Sequence, residues 1–333
     1  MMKIRSVAFS SMVSALIVAG CAAPQNPSGT PTGTPSPTAS PSGTNTPAFC
    51  TATGGSVTGS GGTVDCLTFG VVGDTRPATI DDTAAYPTAI ITKIYQDLEA
   101  EAPKPKFAIS TGDYVYAAKN GAEGPKQLDL YLAAQAGYSG MVFHAMGNHE
   151  CTGFTASNCG TGNTDGITAN YTSFMSKMVT PGGQTKPYYS FRVDATDGSW
   201  TSKFVVVAAN AWDSAQASWL ATAMADTTTY TFVVRHEGIY ANTAPGVTPS
   251  QNIIASHPYT LLIEGHTHDL KSYPADRELI DGIGGAPLTG STNYGYVVVH
   301  QRADMALEFT GYDYQTHAVL RRFVVTPSGT PTN

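Results

Sequence analysis

Nowhere along the 333-residue chain do lysines and arginines gather into a cluster. Eighteen of them stand against 25 acidic residues, a formal net charge of −7, and charged residues make up only 13% of the sequence. A nucleic-acid backbone finds little attraction in such a chain, and an anionic ligand must take its positive charge from something other than side chains. Cysteine is scarce, at five, and no two cysteines have the CxxC spacing of a thiolate metal site. The apolar run at residues 7–19 is too short to span a bilayer comfortably as a permanent helix.

That run has another use. Lys3 and Arg5 precede it and "VAGC" follows it, the layout of a secretory signal with small residues before the cut. A cysteine placed there resembles the lipobox of bacterial lipoproteins, so residues 1–20 are expected as the signal and Cys21 as the lipidated N-terminus. An ordinary cleaved signal, with Cys21 lost or free, is the alternative. The expectation is an exported bacterial lipoprotein, held to a membrane only through its lipid, at the periplasmic face or the cell surface. Residues 21–49 are mostly Pro, Thr, Ser and Gly, too poor in apolar surface to fold, and read as a disordered tether. The folded domain is expected over residues 50–333, where 41% hydrophobic content overall suits a globular core.

Four cysteines remain in that domain, an even number that suggests disulfides in an exported protein. Three connectivities are possible. The local pairs, Cys50 with Cys66 and Cys151 with Cys159, are preferred because each closes a short Gly/Thr-rich loop.

Strand signals recur along this domain. "LTFGVVGD", "KFAISTGD" and "MVFHAMGN" are apolar runs that end in glycine and a polar residue, with helical spacing between them at residues 87–100 and 125–136. "KFVVVAAN", "YTFVVRHEG" and "YTLLIEGH" repeat the habit less regularly, with a helix expected at residues 214–224. Beyond residue 269 four segments read as antiparallel strands: "ELIDGIGG", "GYVVVH", "MALEFTGYD" and "AVLRRFVV". This is α/β wiring, in which ligands gather beyond the carboxyl ends of the strands.

At those ends stand Asp74, Asp113, Asn148, His236, His266 and His268. One carboxylate at a strand end is usually a turn or capping residue, and one histidine is usually structural. Together the six make an oxygen and nitrogen donor set suited to iron, manganese or zinc. His144, His257, His300 and His317 read as structural or exposed, and Trp212 and Trp219 as packing residues.

The blocks "GDTR", "GDYVY", "GNHE", "VVRH" and "GHTH" resemble, in order, those of the calcineurin-like metallophosphoesterases, most closely the purple acid phosphatase branch. The resemblance spans residues 67–269. It implies an α/β fold, a four-layer αββα sandwich of two mixed sheets flanked by helices. It also implies two metal ions per chain bridged by Asp113. Asp74, Tyr116 and His268 would complete the first site; Asn148, His236 and His266 would complete the second.

One block departs from the pattern. Arg76 stands where most of the superfamily has a histidine ligand and the purple acid phosphatases have glycine, and arginine cannot ligate because it stays protonated. Tyr116 matches the branch's substitute ligand, and a phenolate favours Fe(III), so iron is expected in the first site and Zn, Mn or Fe in the second.

The implied chemistry is hydrolysis of a small phosphorylated substrate, a monoester, by metal-activated hydroxide. His149 would assist the leaving group, Glu150 would support the ligands and Arg76 would clamp a phosphate oxygen. A phosphodiesterase or nucleotidase with the same donors, or a non-catalytic surface binding protein, are the alternatives.

Overall fold

The structure, a computed structural model, describes residues 48–241 and 243–332. The expected signal, Cys21 and tether residues 21–47 lie outside the described residues.

Apolar runs that stop at glycine form the parallel centre of one sheet. β3 (Thr68–Val72), β4 (Phe107–Ser110) and β5 (Met141–His144) pair side by side in parallel. Beyond β3, the antiparallel strands β12 (Gly295–Gln301), β13 (Leu307–Asp313), β14 (Val319–Val325) and β15 (Pro331–Thr332) complete seven strands in the order β15-β14-β13-β12-β3-β4-β5.

The second sheet has eight strands. It comprises β1 (Gly55–Thr58), β2 (Gly61–Val64), β6 (Tyr189–Ala195), β7 (Ser202–Val207), β8 (Tyr230–Arg235), β9 (Leu261–Glu264), β10 (Leu270–Tyr273) and β11 (Glu278–Asp281). Their order is β1-β2-β6-β7-β8-β9-β11-β10, with β7, β8 and β9 parallel. The expected antiparallel run after residue 269 needs one correction. β11 lies parallel to β9, because the turn at Pro274–Asp276 folds the chain back between β9 and the edge strand β10.

Alternation decides which face each side chain meets. In β3 and β4, Phe69, Val71, Phe107 and Ile109 turn inward to meet Phe191, Phe204 and Phe232 of the other sheet. Ring centroids there lie 5.1–5.3 Å apart for Phe107–Phe204 and Phe69–Phe107. The intervening residues face helices. Val72, Ala108 and Val298 pack on α1 (Thr88–Ala100) and α2 (Glu123–Gln135), and the buried stripe of α1, Ile91-Ile94-Tyr95-Leu98, has helical spacing.

On the opposite side Val205, Val233 and Leu262 pack on α4 (Ser214–Ala225) and α5 (Val247–Ala255), with Trp212 and Trp219 beside them. The layers are therefore helix, sheet, sheet, helix. A short α3 (Ala169–Phe174) lies in the segment after β5. Cys50 is joined to Cys66 and Cys151 to Cys159. Among the described residues no helix is long and apolar enough to cross a membrane.

Candidate metal centre

Both parallel strand sets end at the same rim of the sandwich. Asp74 follows β3, Asp113 follows β4, and Asn148 and His149 follow β5. His236 follows β8, and His266 and His268 follow β9. Two cross-sheet hydrogen bonds bring the rims together: the His266 amide donates to Asp74 Oδ2 at 2.9 Å, and His236 Nδ1 donates to the Thr111 carbonyl at 2.9 Å.

The turns are tight enough to exclude side chains. A Cβ on Gly147 would sit 2.3 Å from Asp113 Oδ1, and one on Gly112, whose φ is +116°, would meet His236 Nδ1 at 2.8 Å. Asp74, Asp113, His266 and His268 themselves hold positive φ, between 48° and 68°. Such backbone is costly outside glycine and clusters at functional sites.

The structure brings two donor sets together, and Asp113 belongs to both. One is Asp113, His236 and His266; the other is Asp74, Asp113 and His268, with ligand atoms in each set within 4.8 Å of one another. Asn148 joins the former, its Oδ1 lying 3.0 Å from His266 Nδ1.

In that set His236 Nε2 faces Asp113 Oδ1 at 3.2 Å and His266 Nδ1 at 3.3 Å. With Nδ1 committed to Thr111, His236 turns Nε2 to the centre, where it would serve a metal once its proton is displaced. His268 does the same: its Nδ1 donates to the Pro287 carbonyl at 2.7 Å, and its Nε2 faces Asp74 Oδ1 at 3.4 Å. Asp74 Oδ1 is buried and has no hydrogen-bond partner. Imidazole nitrogens and carboxylate oxygens turned to one point, one oxygen of them orphaned, are what an ion between them would satisfy, so the residues fit a divalent metal.

Charge in the cluster follows the same logic. Burial opposes ionisation of Asp113, but His236, His149 and Arg76 outweigh it and hold its carboxyl well below the usual range. Burial pushes Asp74 up. Burial opposes a charge on His236, yet Asp113 and Asp74 raise it well above its ordinary value. His266 and His149 are each driven down by burial, to about 4. The cluster draws positive charge to the point where the two carboxylates meet.

Arg76 and Tyr116 flank the set containing Asp74. Arg76 Nη2 lies 3.4 Å from His268 Nε2, and its Nε lies 3.8 Å from Asp113 Oδ2. The Tyr116 ring lies under the guanidinium, 4.9 Å from its carbon, and meets the His149 ring edge-on. His149 Nε2 stands 3.9 Å from Asp113 Oδ2. Glu150 is fully buried and accepts from the amides of Asp113, Tyr114 and Gly147 at 2.8–2.9 Å, tying the β4 and β5 turns together. Burial, reinforced by Asp113, pushes its carboxyl up to about 7.

Sequence reasoning missed several supporting groups. The Thr111 and Pro287 carbonyls aim two imidazoles, and a backbone carbonyl leaves no mark in the sequence. Asp281, which ends β11 just before a glycine, did carry the strand-end signal. It is fully buried, burial pushes its carboxyl well above the usual range, and its carbonyl accepts from Thr111 Oγ1. Glu237, next to His236, is buried with neither oxygen partnered.

A two-sheet sandwich with carboxylates and imidazoles converging at its strand ends defines the class, the metallophosphoesterase fold. Residues 67–270 match the calcineurin-like phosphoesterases, and the chain belongs to that family. No curated protein matches it significantly. Among solved structures it is similar to a purple acid phosphatase from yellow lupin (Lupinus luteus) seeds. The TM-score is 0.53 at 16% identity, over 78% of this chain and 54% of that one, so the chain spans about half the length of that relative. Others include a predicted phosphoesterase from Streptococcus pneumoniae, TM-score 0.36 at 12% identity over 78% of this chain and 98% of that one. A third is a phosphopantetheinyl hydrolase from Mycobacterium tuberculosis, TM-score 0.38 at 14% identity over 67% and 90%. The lupin likeness is one of fold.

Proposed function

We propose that the chain hydrolyses phosphate monoesters at a metal centre built around Asp113. The observation that carries this reading is the sharing of one carboxylate by two donor sets, beside an orphaned oxygen of Asp74. Asp113, Asn148, His236 and His266 would hold one ion, with Zn, Mn or Fe as candidates. Asp74, Asp113, His268 and Tyr116 would hold the other, with Fe(III) favoured by the phenol. Bound there, such ions supply an activated water and a Lewis acid for the phosphoryl oxygen.

The chain's own residues do the rest. Arg76, a permanent cation at the rim of the centre, binds a phosphate oxygen. His149 is neutral at pH 7, and its ring N–H stabilises the leaving-group oxygen as the ester bond breaks. Glu150 keeps the β4 and β5 turns in register, so that Asp113 and Asn148 do not drift. An exported lipoprotein anchored through Cys21 remains our reading of location; two disulfides support an oxidising compartment.

Metal analysis together with turnover of an aryl phosphate tests the proposal. Asp113→Asn is expected to lose both bound metal and activity. His149→Asn is expected to keep its metal and lose on the order of 10²–10⁴-fold in kcat. A metal-loaded, folded wild-type protein that cleaves no phosphoester between about pH 4 and 9 would sink the enzyme reading. Faster cleavage of a bis-aryl diester than of the monoester would replace it with a phosphodiesterase.

A further inference from the structure

Resting on the hydrolase reading, the inference concerns the alcohol half of the ester. A cavity of about 490 Å³ opens beside the metal centre, within the range of small-molecule sites. Arg76, Tyr116 and His149 line its inner end; Ile80, Lys119 and Phe154 are among the residues that line the rest. Phe154 is 77% exposed and Ile80 is 49% exposed. Two large apolar side chains facing water at the mouth of a polar centre have no packing role in the fold.

Phe154 is also held in place. It lies inside the loop closed by Cys151 and Cys159. Its carbonyl accepts from both the amide and the hydroxyl of Ser157, at 3.0 and 2.6 Å. The preceding residue, Gly153, exchanges hydrogen bonds with Asn148: its carbonyl accepts from Asn148 Nδ2 at 2.8 Å and its amide donates to the Asn148 carbonyl at 3.0 Å. The backbone at Phe154 is therefore fixed relative to a donor residue of the centre.

We infer that Phe154, together with Ile80, selects substrates whose alcohol carries a flat apolar ring, and that this cavity receives the ring while Arg76 and the centre hold the phosphate. An exposed aromatic fixed by its backbone gains by covering another ring and loses little side-chain freedom in doing so. Small polyol phosphates leave the wall wet.

Binding and turnover test this together. Calorimetry on metal-loaded wild type is expected to show phenylphosphonate binding roughly ten-fold tighter than methylphosphonate, a difference that shrinks to about threefold or less in Phe154→Ala. In kinetics, Phe154→Ala is expected to raise KM for phenyl phosphate and leave kcat/KM for glycerol 2-phosphate unchanged. Phe154→Leu, apolar but not flat, is expected to fall between. An unchanged ratio for both phosphonates and both esters, with glycerol 2-phosphate still cleaved, overturns the inference and leaves the hydrolase reading standing. Loss of all phosphoester cleavage by the wild type overturns the hydrolase reading, and this inference with it.

Discussion

Arg76 is the residue at which this site departs from the pattern its blocks resemble. Its guanidinium faces the same His268 nitrogen that an ion in the Asp74 set would need, and it rests on the Tyr116 ring. Two cations so placed repel, so an ion in that set would move Arg76 off His268 and free its N–H groups for a phosphate oxygen. Arg76→Ala should act in two directions at once. Metal titration should show tighter loading of the Asp74 set, while steady-state kinetics show KM for a phosphate monoester raised about ten-fold. An unchanged KM would leave Arg76 without a substrate role. At this scale the sequence was generous with donors and silent on what aims them. Asp74, Asp113 and the three histidines each follow an apolar run, so their positions could be read. The carbonyls of Thr111 and Pro287, which orient two imidazoles, could not.

Among the elements, the strand-ending runs were legible because a strand buried on both faces needs an unbroken apolar string, and its turn needs glycine. β3, β4, β5 and β9 show both, β7 and β8 show the apolar string, and the stripe of α1 was legible from its helical spacing. Elements without such a string escaped. The β1–β2 hairpin is built of Gly, Ser, Thr and Val, and β10 is a short half-exposed edge. α5 was concealed in a stretch rich in Thr, Pro and Ser. β6 alternates cleanly, with Tyr189, Phe191 and Val193 inward, and that signal was overlooked.

The loop between Cys151 and Cys159 is the element on which substrate selection depends. Its cross-link encloses few residues and is buried. Replacing both cysteines by alanine is expected to cost about 2–3 kcal/mol of stability by loop-closure entropy, read from urea titration. The same variant should lose kcat/KM on aryl esters more than on glycerol 2-phosphate, because Phe154 is no longer held.

For the whole molecule, the arrangement of donors across the two sheets matters most. Asp74, Asp113 and Asn148 belong to the seven-stranded sheet, while His236, His266 and His268 belong to the eight-stranded one. An ion bound only by the native state adds its binding free energy to stability, about 4 kcal/mol when metal exceeds Kd a thousand-fold. Chelation is therefore expected to lower Tm by roughly 10 °C, and readdition of Zn²⁺ or Mn²⁺ to restore it, followed by calorimetry. Equal melting with and without chelator would mean that the rims hold together unaided. The α/β wiring was readable from the βαβ rhythm and the four layers followed from the family resemblance, but the parallel return of β11 was not readable, since local sequence does not record which neighbour a strand inserts beside.

The donors also span the chain from residue 74 to residue 268. A nascent polypeptide stalled before His266 lacks one donor of each set, and a topologically misassembled one never closes the cage. Retention of an ion would thus certify that the chain has been threaded correctly from its third strand to the ninth, and quality control that senses metal would in effect be inspecting topology.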